Sequence, residues 1–405
     1  MRNNLISAFL FFSSLAASAT GIHIYAPTFK TVQTYQLGNA RPTPLLTLGS
    51  NDRFSICFDE LADTHRYLRY EIIHCDASGI PDGLPQNRYI NGINEVNIDT
   101  WQRSVATTIP YIHYSATVPS DYISLTVSGN YIVRVYDEEV YNLTLLEIPF
   151  QVSENNASIN ASVSGVTDID YNRSHQQLKI EVTLCEPPTS TSEIIVKVSK
   201  NGEYNQHTLN SPDIIEGSKF TYLHSPELIF PAGNEYRRFE IVSLQYPGLN
   251  VSENMSSAGN HIARLTTDSR RTNYSYDKTQ NGRYTVRGTD IADSNIEANY
   301  IFTEFNLNIP YNKEIKIIGD LTLDGNIPES SMQYDFETKA YRATLLLKQG
   351  SYNYLYSYSS ANAQNEVEGD FYQTSNEYHI SVYHRSPLLL HDRLLGSYTV
   401  SSTEK

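Results

Sequence analysis

The 405-residue sequence is poor in cysteine, methionine and tryptophan, with three, three and one respectively. Charge is scarce too: 19% of residues carry it, and basic side chains are the minority, 30 against 45 acidic, for a formal net charge of −15. Three cysteines cannot build a disulfide framework, and without a C-x-x-C pair neither a zinc ribbon nor a thioredoxin-type site is supported. The shortage of positive charge argues against nucleic-acid binding, which needs a basic footprint to release counterions. No run reaches the roughly 18 apolar residues of a membrane-spanning helix, so direct membrane insertion is not expected. No window of useful length carries a 3.6-residue apolar period. The nucleophile elbow, the zincin helix, the P-loop and the dinucleotide fingerprint are all missing. No catalytic, cofactor or metal residues and no small-molecule substrate are therefore expected.

What is present is a 40% hydrophobic chain with 31 tyrosines and 14 phenylalanines, enough for real cores. Tyr-, Thr- and Val-rich composition at low charge favours strands. At about 150 residues per domain the length suggests two or three domains. Met1-Arg2-Asn3-Asn4, the apolar stretch Leu5–Leu15 and Ala17-Ser18-Ala19 have the layout of a secretory signal peptide cleaved after Ala19.

Period-two alternation recurs. Phe54, Ile56 and Phe58 share one face, as do Tyr131, Val133 and Val135, then Phe305, Leu307 and Ile309, then Tyr378, Ile380 and Val382. Turn dipeptides punctuate the runs, among them Asn201-Gly202, Asn281-Gly282 and Asp324-Gly325. The expectation is an all-β chain of about three tandem immunoglobulin-like β-sandwich domains. After the signal peptide at 1–19 these are an N-terminal sandwich at 21–153, a middle one at 158–290 and a C-terminal one at 294–405.

Few residues invite a chemical reading. His74-Cys75-Asp76 resembles a nucleophile with its base, but adjacent strand residues point to opposite faces. Asp168-x-Asp170-x-Asn172 opens like a calcium loop, yet Arg173 takes the position of the required glycine and Lys179 that of the closing glutamate. Cys57 and Cys75, on two successive predicted strands, could form a disulfide in an oxidising compartment; small buried hydrophobes are the alternative. Tyr352, Tyr354, Tyr356 and Tyr358 share one face of a strand. They could form an aromatic docking face for a partner or for sugar rings. Core packing is the stronger reading, because a sandwich strand must bury one face.

An ordered set of strings goes further. The first unit carries Phe58-Asp-Glu-Leu61, Tyr70-Glu-Ile-Ile-His-Cys-Asp76, Tyr89-Ile-Asn-Gly92, Tyr111-Ile-His-Tyr114 and Ser128-Gly-Asn-Tyr131. The second carries His175-Gln-Gln-Leu178, Asn201-Gly202 and Gly233-Asn-Glu-Tyr-Arg237. The third carries Leu345-Leu-Leu-Lys-Gln-Gly350, Tyr352-Asn-Tyr354, Glu368-Gly369 and Glu377-Tyr378. Taken together they resemble the plug-protein family of the type IX secretion system of Bacteroidetes, over about Ile22 to Leu395. Ser78-Gly79 stands where members place a tryptophan. The resemblance implies a non-enzymatic, periplasmic protein, peripheral to the outer membrane, that reversibly closes the periplasmic opening of the outer-membrane translocon β-barrel. The last unit is also similar to early-set immunoglobulin-like modules, in Gly319-Asp320, Met332-x-Tyr334 and Leu347 to Tyr354. A fold alone carries no function. A carbohydrate-binding sandwich using the Tyr352–Tyr358 face is the alternative; a hydrolase whose carboxylates meet only in the fold is a third.

Overall fold

The computed structural model describes residues 21–40, 43–140, 143–202, 206–358 and 366–403. The expected signal peptide lies outside them. Strands and short 3-10 turns make up the regular structure, with no α-helix among the described residues. The described residues are all-β and sandwich-like, as the alternation implies.

The first body faces two sheets across one core. One sheet runs His23–Ile24, Thr144–Ser153, Gly129–Asp137, Leu68–Cys75, Val96–Asn97, with Leu45–Thr47 parallel to Thr144–Ser153. The other runs Asn39–Ala40, Phe29–Gln36, Phe54–Glu60, Ile112–Val118, Thr100–Arg103. Phe54, Ile56 and Phe58 meet Tyr131, Val133 and Val135 in the core between them, so both alternation patterns assign the buried face correctly.

The middle body is built from chain segments far apart in sequence. Ala157–Ser164, His175–Leu184, Lys219–Tyr222 and Ile214–Glu216 form one sheet. The facing sheet joins His207–Thr208 and Ile194–Lys200 to Glu377–His384 and Arg393–Ser401. Val198 pairs with Ile380, and both bury against Ile180 and Val182. This differs from the expected division at 290/294. The last two strands close the middle sandwich, not the third. Their apolar faces, Tyr378, Ile380 and Val382, complete a core that 157–231 cannot close alone.

Between those halves sits an inserted body. Its sheet path is Arg237–Glu240, Gly350–Tyr358, Ile315–Ile318, Ser331–Asp335, Ala340–Lys348, Tyr300–Leu307, Asn260–Leu265, Val251–Ser257. Phe239 on the first strand meets Phe305 on the sixth edge-to-face at 5.4 Å, so the path folds over on itself around a single core. Asn201-Gly202, Asn281-Gly282 and Asp324-Gly325 all have positive φ at both residues, the conformation for which Asn-Gly and Asp-Gly are suited.

Candidate functional site: buried polar junctions

On the strand Phe54–Glu60 the residues opposite Phe54, Ile56 and Phe58 point out of the first sandwich. Asp59 belongs to that outer set, yet it is fully buried, because the inserted body packs over it. Lys348 Nζ lies 2.6 Å from Asp59 Oδ2, with both side chains 1% exposed. Tyr300 donates its hydroxyl to the same oxygen at 2.8 Å, and His113 Nδ1 stands 2.6 Å from Oδ1. The lysine also donates to the Asn295 carbonyl at 2.8 Å and sits 4.2 Å over the Tyr111 ring. Burial lowers the Lys348 pKa, against the pull of Asp59. A desolvated ion pair of this kind holds only when further hydrogen bonds satisfy it, and here they do. A bulge between Lys30 and Gln33 puts Thr31 at φ 53° and brings its Oγ1 to 2.7 Å from the Tyr300 hydroxyl. Bulges commonly re-aim side chains in this way.

A second buried polar cluster lies where the chain crosses between the inserted and middle bodies. Glu368, fully buried, accepts from Arg237 Nε at 3.0 Å and Arg271 Nε at 2.6 Å. Arg237 also pairs with Asp268 at 2.7 Å. Beside it, Gln176 donates to the Tyr372 and Thr374 carbonyls and accepts from Tyr378 and Asn376, while Asn201 donates to Asn376.

This network also places the four tyrosines considered as a docking face. Tyr352, Tyr354, Tyr356 and Tyr358 are all buried in the core of the inserted body, so they offer no surface to a partner or a sugar. Tyr354 and Tyr356 donate to Asp268 Oδ2 at 2.6 and 2.8 Å. Tyr352 donates to the Lys348 carbonyl, and Lys313 covers the Tyr358 ring. The strand packs its rings inward and delivers its hydroxyls to buried acceptors. An exposed aromatic cluster lies elsewhere: Phe336 and Tyr311, 74% and 59% exposed, pack around Tyr334 and Tyr341. No alternation pattern marks it, since Tyr311 comes from a different segment.

The third junction joins the first and middle bodies. His74 Nδ1 lies 2.7 Å from Asp82 Oδ2 and Nε2 3.2 Å from the Ser128 carbonyl. Burial would raise the Asp82 pKa, but the hydrogen bond from His74 holds it below the usual carboxylate range. With both ring nitrogens engaged, His74 has none left to act as a base. Glu154 receives Arg393 and the Ser128 hydroxyl, and Asp392 receives Arg385 and the Ala77 amide. Gln151, Tyr383 and Asn130 complete the contact.

Cys57, Cys75 and Cys185 are all free thiols. Cys57 and Cys75 point out of opposite sheets of the first sandwich with its core between them: Cys57 alternates with Ile56 and Phe58, and Cys75 packs on Ile132 behind the sheet. The disulfide considered from the sequence is therefore not formed. The calcium-like acids serve structural partners, Asp168 with Gln177 and His224, and Asp170 with His175 and Ser174.

The strings quoted from the sequence converge on these junctions. Asp59, Tyr111, His113 and Lys348 meet at the first, Gln176, Asn201, Arg237, Tyr354 and Glu368 at the second, His74 and Ser128 at the third. Asp268, Arg271 and Tyr300 complete them from segments that no string flagged. What this arrangement does chemically is hold three β bodies in fixed relation.

The comparisons agree with the strings. Residues 29–154 match the family model for the type 9 secretion system plug protein first domain, the extent of the first sandwich. Over 94% of its length the chain is similar to a hypothetical protein from Parabacteroides merdae ATCC 43184, known from a crystal structure at 2.30 Å resolution. The two share 34% identity and superpose with a TM-score of 0.91, covering 99% of that chain. A biofilm associated protein B domain reaches a TM-score of only 0.16 at 9% identity, over 95% of this chain and 86% of that one, too low to bear on the fold. No curated protein matches. With the plug domain matched over the first sandwich and its strings assembled into the junctions, the chain belongs to the type IX secretion system plug protein family.

Proposed function

We propose that this protein acts as a reversible stopper at the periplasmic opening of the outer-membrane translocon barrel of the type IX secretion system, without enzymatic activity. The observation that carries this reading is the plug-domain match over 29–154, in a sandwich fastened to the rest of the chain by the buried Asp59–Lys348 pair. A pore wide enough for folded cargo needs an obstruction of protein size and fixed shape. Three bodies locked by desolvated polar contacts meet that need better than bodies on flexible linkers. Release requires a docking contact of moderate, partly polar character.

The site of action in this reading is the periplasm, peripheral to the outer membrane of a Bacteroidetes-type cell, reached through the signal peptide. The net charge of −15 disfavours adsorption to anionic membrane surfaces. No helix of the described residues is long and apolar enough to cross a membrane. The carbohydrate reading rested on Tyr352–Tyr358, which are buried, and no other observation favours it.

Deleting the gene and measuring entry of a large, normally excluded antibiotic tests the proposal. Permeability is expected to rise in the deletion strain and to return to normal when the translocon is deleted as well. An intact barrier, with the translocon present and free of cargo, would overturn it. Affinity purification of the tagged protein from envelopes is expected to recover a giant β-barrel protein.

A further inference from the structure

The first and inserted bodies do not meet everywhere. Beside the Asp59–Lys348 junction they part to leave a cleft of about 680 Å³, within the roughly 300–1,000 Å³ range of ligand sites. Phe29 and Val32 of the first body face Phe302, Leu321, Ile327 and Leu346 of the inserted body across it.

One wall is an unpaired strand edge. The strand Ala340–Lys348 pairs with Tyr300–Leu307 on one side from Tyr341 to Lys348. On its other side Ser331–Asp335 pairs only with Ala340–Arg342. Main-chain groups of Ala343–Leu347 that point away from Tyr300–Leu307 therefore have no strand partner among the described residues, and Thr344 to Leu347 line the cleft. An unpaired edge is a template for another strand unless it is blocked. Five residues of edge span about 17 Å.

The second feature is charge. Asp320 lines the cleft, and its carboxyl makes no hydrogen bond among the described residues. Arg283, the cation acting on it, is already committed to Glu377 at 2.6 Å. Glu329 stands at the rim, 51% exposed, held by a loose 3.6 Å contact with Lys30. With Lys348 consumed by Asp59 and Lys30 set against Glu329, Asp320 is the one carboxyl of the lining without a basic side chain of the lining beside it.

We propose that the cleft binds an extended polypeptide segment of a partner protein, which adds as a strand to Ala343–Leu347 and sets a lysine or arginine between Asp320 and Glu329. The apolar walls take the flanking side chains, and Lys30 gives up Glu329 to the incoming cation. The site does not depend on the occlusion reading, since the partner need not be the translocon.

Hydrogen exchange on the full chain tests this with three synthetic heptapeptide pools, randomised in Val, Thr and Tyr and fixed at the centre as lysine, glutamine or glutamate. The lysine pool is expected to slow exchange across Ala343–Leu347 by about tenfold or more, with the glutamate pool inert. Asp320→Asn should bring the lysine pool down to the effect of the glutamine pool. Leu346→Arg, at an outward-facing position, should abolish protection by every pool while leaving the far-ultraviolet spectrum unchanged. Absence of protection with all pools, or equal protection by lysine and glutamate, overturns the proposal. So does protection without peptide that grows with protein concentration, which would assign the edge to a second copy of the chain.

Discussion

The two parts of the contact between the first and inserted bodies lie side by side and differ in kind. At one, Lys348 and Asp59 are sealed from water, with both carboxylate oxygens hydrogen-bonded and the ammonium held by Asp59, the Asn295 carbonyl and the Tyr111 ring. At the other, Lys30, the register partner of Asp59 on the neighbouring strand Phe29–Gln36, and Glu329, on the short 3-10 turn Pro328–Ser330, face each other loosely across an open cleft. Both are lysine–carboxylate pairs between the same bodies. The difference teaches that pairing alone does not fasten an interface. Desolvation with further hydrogen bonds to both partners does, and where it is absent the surfaces stay apart.

The largest expected effect breaks the sealed end. Lys348→Met leaves Asp59 buried without its counter-charge and should cost about 3–5 kcal/mol in urea unfolding, with Asp59→Asn in addition restoring part of the loss. A cost under about 1 kcal/mol would put the two ends on the same footing. Glu368→Gln asks whether the cluster at the crossover between the inserted and middle bodies is of the sealed kind. With Arg237 and Arg271 deprived of their shared carboxylate, a loss of about 3 kcal/mol is expected, read by the same titration.

Asp320 probes the open end. Burial pushes its pKa up from 3.8 to about 7, above its value in the unfolded chain. The group therefore costs nothing below about pH 4, and stability falls as pH rises from there toward 7. Asp320→Asn should raise Tm by about 2–4 °C at pH 8, and the gain should vanish near pH 4; calorimetry at the two pH values checks the sign. The smallest effect belongs to Lys30→Ala. An exposed pair is worth less than about 1 kcal/mol and fades in high salt, so its unfolding midpoint should barely move.

Much of the fold was legible. The strand expected over Phe54–Phe58 runs Phe54–Glu60, and that over Gln177–Leu184 runs His175–Leu184, because a one-sided core writes its period into the sequence. The polar stretch after Thr266 forms no strand before Tyr284. Yet it supplies Asp268 and Arg271 to the second junction, which no local pattern marks. The Tyr352–Tyr358 alternation correctly gave a shared face and left open whether that face looked inward. The Cys57–Cys75 pairing failed because successive strands of a sandwich can belong to different sheets.

By itself the sequence determined that this is a β protein, poor in base, with turns at its Asn-Gly and Asp-Gly pairs and strings of the plug family. These are local properties: alternation, turn chemistry and composition act over a few residues. Only the tertiary structure decided that Glu377–Ser401 closes the middle sandwich around an insertion. Only it decided that Asp59 meets Lys348 across 289 positions, and that the edge beside them stays open. Those outcomes depend on which apolar faces find each other in space, and on whether water leaves the polar groups between them.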